Sequence, residues 1–123
     1  MIFIESKLFE RKVKNLLTPE ELREFQNELI ENPKKGDVIQ GTGGLRKIRV
    51  KGSMRKKGKR GGNRVICLYI EFLSNMHLLF IYGKNEAIDL TIDEKKQLKK
   101  MGEILKKEAK SSQRSGKNER KKN

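Results

Sequence analysis

The sequence has 123 residues, 34% hydrophobic and 37% charged, with a formal net charge of +14. That is enough chain for one compact domain with a modest core, and too little for two. No apolar run approaches the ~20 residues a membrane span needs, the opening Met1-Ile2-Phe3-Ile4-Glu5 lacks the plan of a secretory signal, and the single cysteine, Cys67, makes no internal disulfide and suits a reducing compartment. The expectation is a cytoplasmic protein with no membrane partner.

In chain order, Ile2-Phe3-Ile4 reads as a first strand, and Leu8-Phe9, Val13 and Leu16-Leu17 recur at helical spacing, predicting a helix over 6–17. Thr18-Pro19-Glu20-Glu21 is a second helix start: Thr18 caps, Pro19 fits the first helical position, and Glu21 completes a capping box. Leu22, Phe25 and Leu29 continue on one stripe until Asn32-Pro33 stops the helix. The two helices read as a hairpin with one apolar seam. Gly41-Thr42-Gly43-Gly44 is a flexible turn; it is not followed by Lys-Ser/Thr and does not open a helix, so it fails as a nucleotide-binding loop. Leu45 to Val50 alternates as a strand, residues 51–62 form a Lys/Arg/Gly loop, and two further apolar strands cover Arg64–Phe72 and Met76–Tyr82, with a turn at Ser74-Asn75. Thr91 caps a last helix through Leu98, Met101, Ile104 and Leu105. Beyond Glu108 almost nothing is apolar, so a domain over 1–108 and a basic, disordered tail over 109–123 are expected. The order β-α-α-β-β-β-α gives an α+β class: a helical hairpin and a C-terminal helix on a mostly antiparallel sheet.

The charge is concentrated. Residues 38–70 carry 10 basic groups and no acid, and residues 106–123 carry 8 basic and 2 acidic groups, while the remainder is nearly neutral. Two focused basic patches call for a polyanion. Within the acid-free stretch, Lys47 and Arg49 point to one face of their strand and Ile48 and Val50 to the other. Two cations side by side repel unless an anion joins them, and a phosphate suits. Arg64 extends the cluster if it shares that face. Arg46 and the loop residues Arg55, Lys56, Lys57, Lys59 and Arg60 form the surrounding RNA-binding surface in this reading; the alternative is a solubilising charged face. His77 is the single histidine, in an apolar strand without a ligand cluster, so no metal and no cofactor are expected. Cys67, Tyr69 and Tyr82 read as packing residues.

Taken in order, Gly44-Leu45-Arg46-Lys47-Ile48-Arg49-Val50, then Gly62-Asn63-Arg64-Val65-Ile66, then Ile81-Tyr82-Gly83-Lys84-Asn85-Glu86, behind a helical hairpin, resemble the RelE/ParE superfamily of bacterial toxins over about residues 1–108. Asp37–Gln40 with the Gly-rich turn and the Lys/Arg-Gly loop look like its HigB-type branch. The resemblance implies a toxin held by a cognate antitoxin, acting as a ribosome-dependent mRNA endoribonuclease, with mRNA and the ribosome as partners. It implies that Lys47, Arg49 and Arg64 hold the scissile phosphate and that Lys84 matches the family's Gly-Lys. The sequence departs from RelE at Asn85, where RelE has an arginine, and near Thr91, where RelE has a tyrosine; the resemblance leaves Lys84 or the loop lysines to supply that function.

Such chemistry is coherent without metal or histidine. RNA brings its own 2′-hydroxyl nucleophile, and fixed cations stabilise the negative phosphorane. Crowded cations disfavour one another's charge, so a lysine among them gives up its proton more readily and serves as base. Two other functions compete: a gyrase inhibitor of the ParE type, which has no need of the cation cluster, and a non-catalytic RNA- or ribosome-binding protein, for which the basic patches suffice.

Overall fold

The computed structural model describes residues 1–51, 62–83 and 91–122, with side chains as far as Ser112. Local sequence signals account for its helices. Ser6 caps α1 (Lys7–Val13), its hydroxyl accepting from the Phe9 N–H at 3.0 Å. Thr18 caps α2 (Pro19–Glu31) with both limbs of the predicted box: the Thr18 hydroxyl accepts from Glu21 N–H at 3.1 Å and the Glu21 carboxylate accepts from Thr18 N–H at 2.9 Å. Thr91 and Glu94 form the same reciprocal pair at the start of α3 (Ile92–Lys122).

The strands are β1 (Ile2–Glu5), β2 (Asp37–Val38), β3 (Arg46–Val50), β4 (Asn63–Ile70) and β5 (Asn75–Gly83), with one 3-10 turn at Glu71–Leu73 before β5. They form one sheet in the order β1-β5-β4-β3-β2. β1 runs parallel to β5 and every other pairing is antiparallel, so the sheet is mixed, as an α+β protein with a mostly antiparallel sheet requires. The sequence-predicted order lacks β2: a two-residue strand is too short to carry a period-two pattern.

Helices cover both faces. On one, Phe9, Val13, Leu16, Leu17, Phe25 and Leu29 from the hairpin pack against Ile48, Val50, Val65, Cys67, Met76, Leu78 and Ile81. On the other, α3 brings Leu98, Leu105 and Ala109 onto Leu45, Ile66, Leu68, Ile70, Leu79 and Tyr82. Gly102 lets α3 approach: a Cβ there would stand 2.9 Å from the Leu45 side chain. Lys106 clamps the helix by donating to the Gly43 carbonyl at 2.6 Å. The Gly-rich turn is thereby a seat for α3, with Thr42 buried and its hydroxyl donating to the Ile39 carbonyl at 2.6 Å.

Two differences from the sequence reading concern α3. Ala109, one residue past the expected edge at 108, is buried. The helix itself runs to Lys122, beyond Glu108 where apolar residues run out, on a stretch with six Lys and Arg, which are good helix formers. Cys67 is a buried free thiol pushed up to about 12 by burial, consistent with an inert core residue. No helix among the described residues is long and apolar enough to cross a membrane.

Candidate functional site

Directly paired residues of an antiparallel sheet share a face. Arg49 pairs with Arg64, Arg64 pairs with Tyr82, Lys47 pairs with Ile66, and Ile66 pairs with Phe80. The α3 face therefore carries two adjacent rows, Arg49–Arg64–Tyr82 and Lys47–Ile66–Phe80, and the condition that Lys47, Arg49 and Arg64 share a face is met. Lys47 and Arg49 are exposed, and neither side chain has a hydrogen bond or ion pair among the described residues. Arg64 is half-buried, with one guanidinium nitrogen 3.4 Å from the Asn63 carbonyl.

Local sequence explains how Arg64 is aimed. Gly62 adopts φ +67, and a Cβ there would lie 2.2 Å from the Val50 carbonyl oxygen, so only glycine lets β4 begin so close to β3. Asn63 is buried and its amide donates to the Leu16 carbonyl at 3.4 Å, tying the strand's first residue to the helical hairpin. The Gly62-Asn63-Arg64 motif thus reads as close approach, anchor and projecting cation.

Tyr82 reaches this face through a bulge. The register slips between Ile66 and Cys67, so Leu79 has no opposite number on β4. Met76 and Leu78 point to the hairpin, and without the extra residue Phe80 and Tyr82 would follow them; with it they turn to the α3 side. Tyr82 is 7% exposed, packs in the α3-side core and lies with its ring centroid 5.7 Å from that of Phe80. Burial raises its phenol's pKa, and the neighbouring Arg64 charge opposes that shift. An uninterrupted apolar run from Met76 to Tyr82 gives no sequence sign of the bulge.

Other expected residues fall elsewhere. Arg46 is on the hairpin side of β3, opposite Cys67, and donates to the Gly36 carbonyl at 3.0 Å; the period of two that unites Lys47 with Arg49 turns Arg46 away from them. Lys84, Asn85 and the loop residues Arg55, Lys56, Lys57, Lys59 and Arg60 lie outside the described residues. Thr91 spends its hydroxyl on the cap of α3. His77 is buried on the α3 face, opposite Leu68, away from the cation rows. One residue that the sequence reading left out is Asp37, exposed on β2 and directly across from Lys47. The acid-free stretch thus ends, in space, against a carboxylate. Its signal was the position itself, the last acid before ten cations.

The face thus gathers an exposed pair of cations beside a half-buried arginine and a phenol, and its net charge is positive. The architecture is that of a basic α+β protein with a mixed sheet covered by helices on both faces. The chain belongs to the RelE toxin family: the family model for the RelE toxin of RelE/RelB toxin–antitoxin systems matches residues 1–120. Its fold is also that of a mutant of the E. coli toxin RelE solved in the free state, with a TM-score of 0.51 and 18% identity over 69% of this chain and 83% of that one. The protein is a toxin of a toxin–antitoxin system.

Proposed function

We propose that this toxin, of the HigB-type branch, is a cytoplasmic endoribonuclease that cuts mRNA on the ribosome without a metal and is neutralised by a cognate antitoxin. The observation that carries the reading is the pairing of Arg49 with Arg64 beside Lys47 on one sheet face. These cations hold the scissile phosphate and absorb the charge that grows on it as the neighbouring 2′-hydroxyl attacks. The resemblance adds Lys84, which follows the last residue of β5, and leaves Lys56, Lys57, Lys59 and Arg60 to grip the strand. The ribosome supplies the geometry of the message, so a deep sequence-reading groove is unnecessary.

The test is to add the purified protein to translating ribosomes and map new 5′ ends on the message. Cuts are expected, with a 2′,3′-cyclic phosphate or 3′-phosphate on the upstream fragment. A 2′-deoxyribose at the cut site should block the reaction at that position. Cleavage of the deoxy-substituted message at the normal rate would overturn the mechanism. Translation inhibited without cuts would favour a binding protein, and inhibition of gyrase instead would favour the ParE-type activity.

A further inference from the structure

Leu98, Leu105 and Ala109 pack α3 onto the sheet, and the helix shows a different flank on each side of that contact. On one flank Lys95, Lys99, Lys106 and Lys110 fall in a single row at 3.6 residues per turn. Their side chains border the Gly-rich turn. A Cβ added at Gly41 would stand 4.0 Å from Lys95 Cδ, and one at Gly43 would stand 3.8 Å from Lys99 Cγ. Lys96 and Lys107, both exposed, follow in a row farther from the sheet. The opposite flank carries Gln97, Met101, Ile104 and Glu108 and looks toward β5, where the Glu108 charge acts on His77.

Glu103 is the one acid among these lysines, four residues from both Lys99 and Lys107, and among the described residues it has no ion pair with either. Lys95 and Lys99, like Lys106 and Lys110, stand four residues apart, a spacing at which like charges destabilise a helix. A solubilising surface mixes its signs, whereas this one separates them across the helix. A polyanion rewards such a row.

The form of the row selects among polyanions. From Lys95 to Lys110 it extends about 22 Å at about 1.5 Å per residue. It contains no aromatic side chain on which the bases of a single strand could stack. It also lacks the apolar face that a membrane surface requires, since Leu98, Leu105 and Ala109 are committed to the sheet. A straight line of cations suits the phosphates of a stiff duplex, which proteins hold by shape and backbone.

We propose that the lysine flank of α3 is a docking surface for double-stranded RNA, and that its occupant is a structured stem of ribosomal RNA. It lies on the side of the helix where β3 leaves the Gly-rich turn toward Lys47 and Arg49. The choice of ribosomal RNA rests on the ribosome reading of the toxin, and the test of the surface makes no use of cleavage.

The probe is an RNA hairpin with a stem of about 16 base pairs and a loop of 2′-O-methyl riboses, which cannot be cut; fluorescence anisotropy is read over a salt series. Lys95→Gln, Lys99→Gln and Lys107→Gln are combined, leaving Lys106 to clamp the helix, and glutamine suits a helix about as well as lysine. This triple should weaken hairpin binding about tenfold or more and lower the slope of log K against log salt by about 2–3. Lys7→Gln, Arg11→Gln and Lys14→Gln remove the same charge from exposed positions of α1 and its cap, and should cost less than about threefold. Lys95→Arg, Lys99→Arg and Lys107→Arg together should keep the wild-type affinity. Lys96→Gln with Lys110→Gln, both at exposed positions, repeats the test should the first triple melt early.

Equal losses from the two glutamine triples would remove the surface. A loss on 2′-O-methyl oligouridine as large as on the hairpin would remove its duplex assignment. In co-sedimentation with ribosomes, the α3 triple should leave more protein in the supernatant than the α1 triple, and hairpin loss without that shift would overturn the ribosomal source. An α3-specific loss in a protein that makes no cuts keeps the surface and removes the nuclease; cuts on ribosomes with equal losses from both triples do the reverse.

Discussion

The two faces of the sheet are built to different rules. On the hairpin side, β3, β4 and β5 direct Ile48, Val50, Val65, Met76, Leu78 and Ile81 into a closed apolar layer. Polar groups there are tied off locally: Arg46 on the Gly36 carbonyl and Asn63 on the Leu16 carbonyl. On the α3 side, Leu45, Leu68 and Ile70 lie in the layer beneath the helix, and the rows of Lys47, Arg49 and Arg64 lie beside it. The hairpin face is given over to apolar packing, whereas the other divides between an apolar patch under α3 and a row of like charges beside it. Substitutions on the two faces should therefore separate folding from activity.

The largest effect belongs to the hairpin side. Phe25 and Leu29 are fully buried against the sheet. Phe25→Ala should cost about 3–5 kcal/mol, most of the stability of a domain this small. In urea denaturation the midpoint should collapse, and toxicity should vanish together with the folded protein. A Phe25→Ala variant of near-normal stability would show that the hairpin contributes little to the core.

Arg64→Ala, on the other face, should do the reverse. Loss of a donor that meets developing charge lowers catalysis by about 10²–10³-fold, so cuts on ribosome-bound message and growth inhibition should both disappear. Its side chain fills no core position, and the melting temperature should stay close to wild type, with a change of about 0.5 kcal/mol. Full toxicity in both Arg64→Ala and Arg49→Ala would remove the cation rows from the mechanism.

The same comparison shows what a sequence reveals. Helix starts were legible because caps are local chemistry: Thr18 with Glu21, and Thr91 with Glu94, announce themselves in four residues. Lys47 and Arg49 were legible as a pair because a strand alternates. Which cations meet across strands depends on register, and register depends here on features with no local pattern. β2 is two residues long, so Asp37 could not be placed opposite Lys47. The bulge at Leu79 lies inside a uniformly apolar run, so the turning of Phe80 and Tyr82 toward Arg64 was hidden.

His77 is the α3-side counterpart of a core residue, and it ties stability to pH. Ile4, Leu68 and Glu108 are its described neighbours from β1, β4 and α3. Burial holds its pKa below the ordinary 6.5, with the Glu108 charge opposing the shift. As pH falls through 6.5 the unfolded chain takes a proton that the folded chain refuses, so stability is lost toward acid. The loss between pH 7.5 and 5.5 is at most about 1.4 kcal/mol. His77→Gln should flatten that part of the urea-midpoint profile, and Glu108→Gln should steepen it in the wild-type background only. A wild-type profile flat across this range would mean that His77 titrates alike in both states.

The smallest effect on folding should come from the C-terminal end of α3, which we treat as a basic tail attached to the domain. Among the side chains described, the last buried one is Ala109. From Ser111 to Asn123 the sequence has no apolar side chain, and it carries five Lys/Arg against one Glu. Helix without an apolar face gains nothing from the core, and the isolated helix of a dozen residues is marginal in water. Ending the chain after Lys110 should leave the melting temperature nearly unchanged, within about 0.5 kcal/mol, while lowering RNA affinity at low salt and flattening its dependence on salt, because fewer phosphates are neutralised. Ending it after Gly102 makes the opposing case. That cut removes Leu105 and Ala109 from the core under α3 and the Lys106 clamp on the Gly43 carbonyl, and it should unfold the protein or leave it aggregating through the bared Leu45, Leu68 and Ile70. If the longer chain, ending at Lys110, also failed to fold, the tail would be part of the domain, and the boundary drawn from its lack of apolar residues would be wrong.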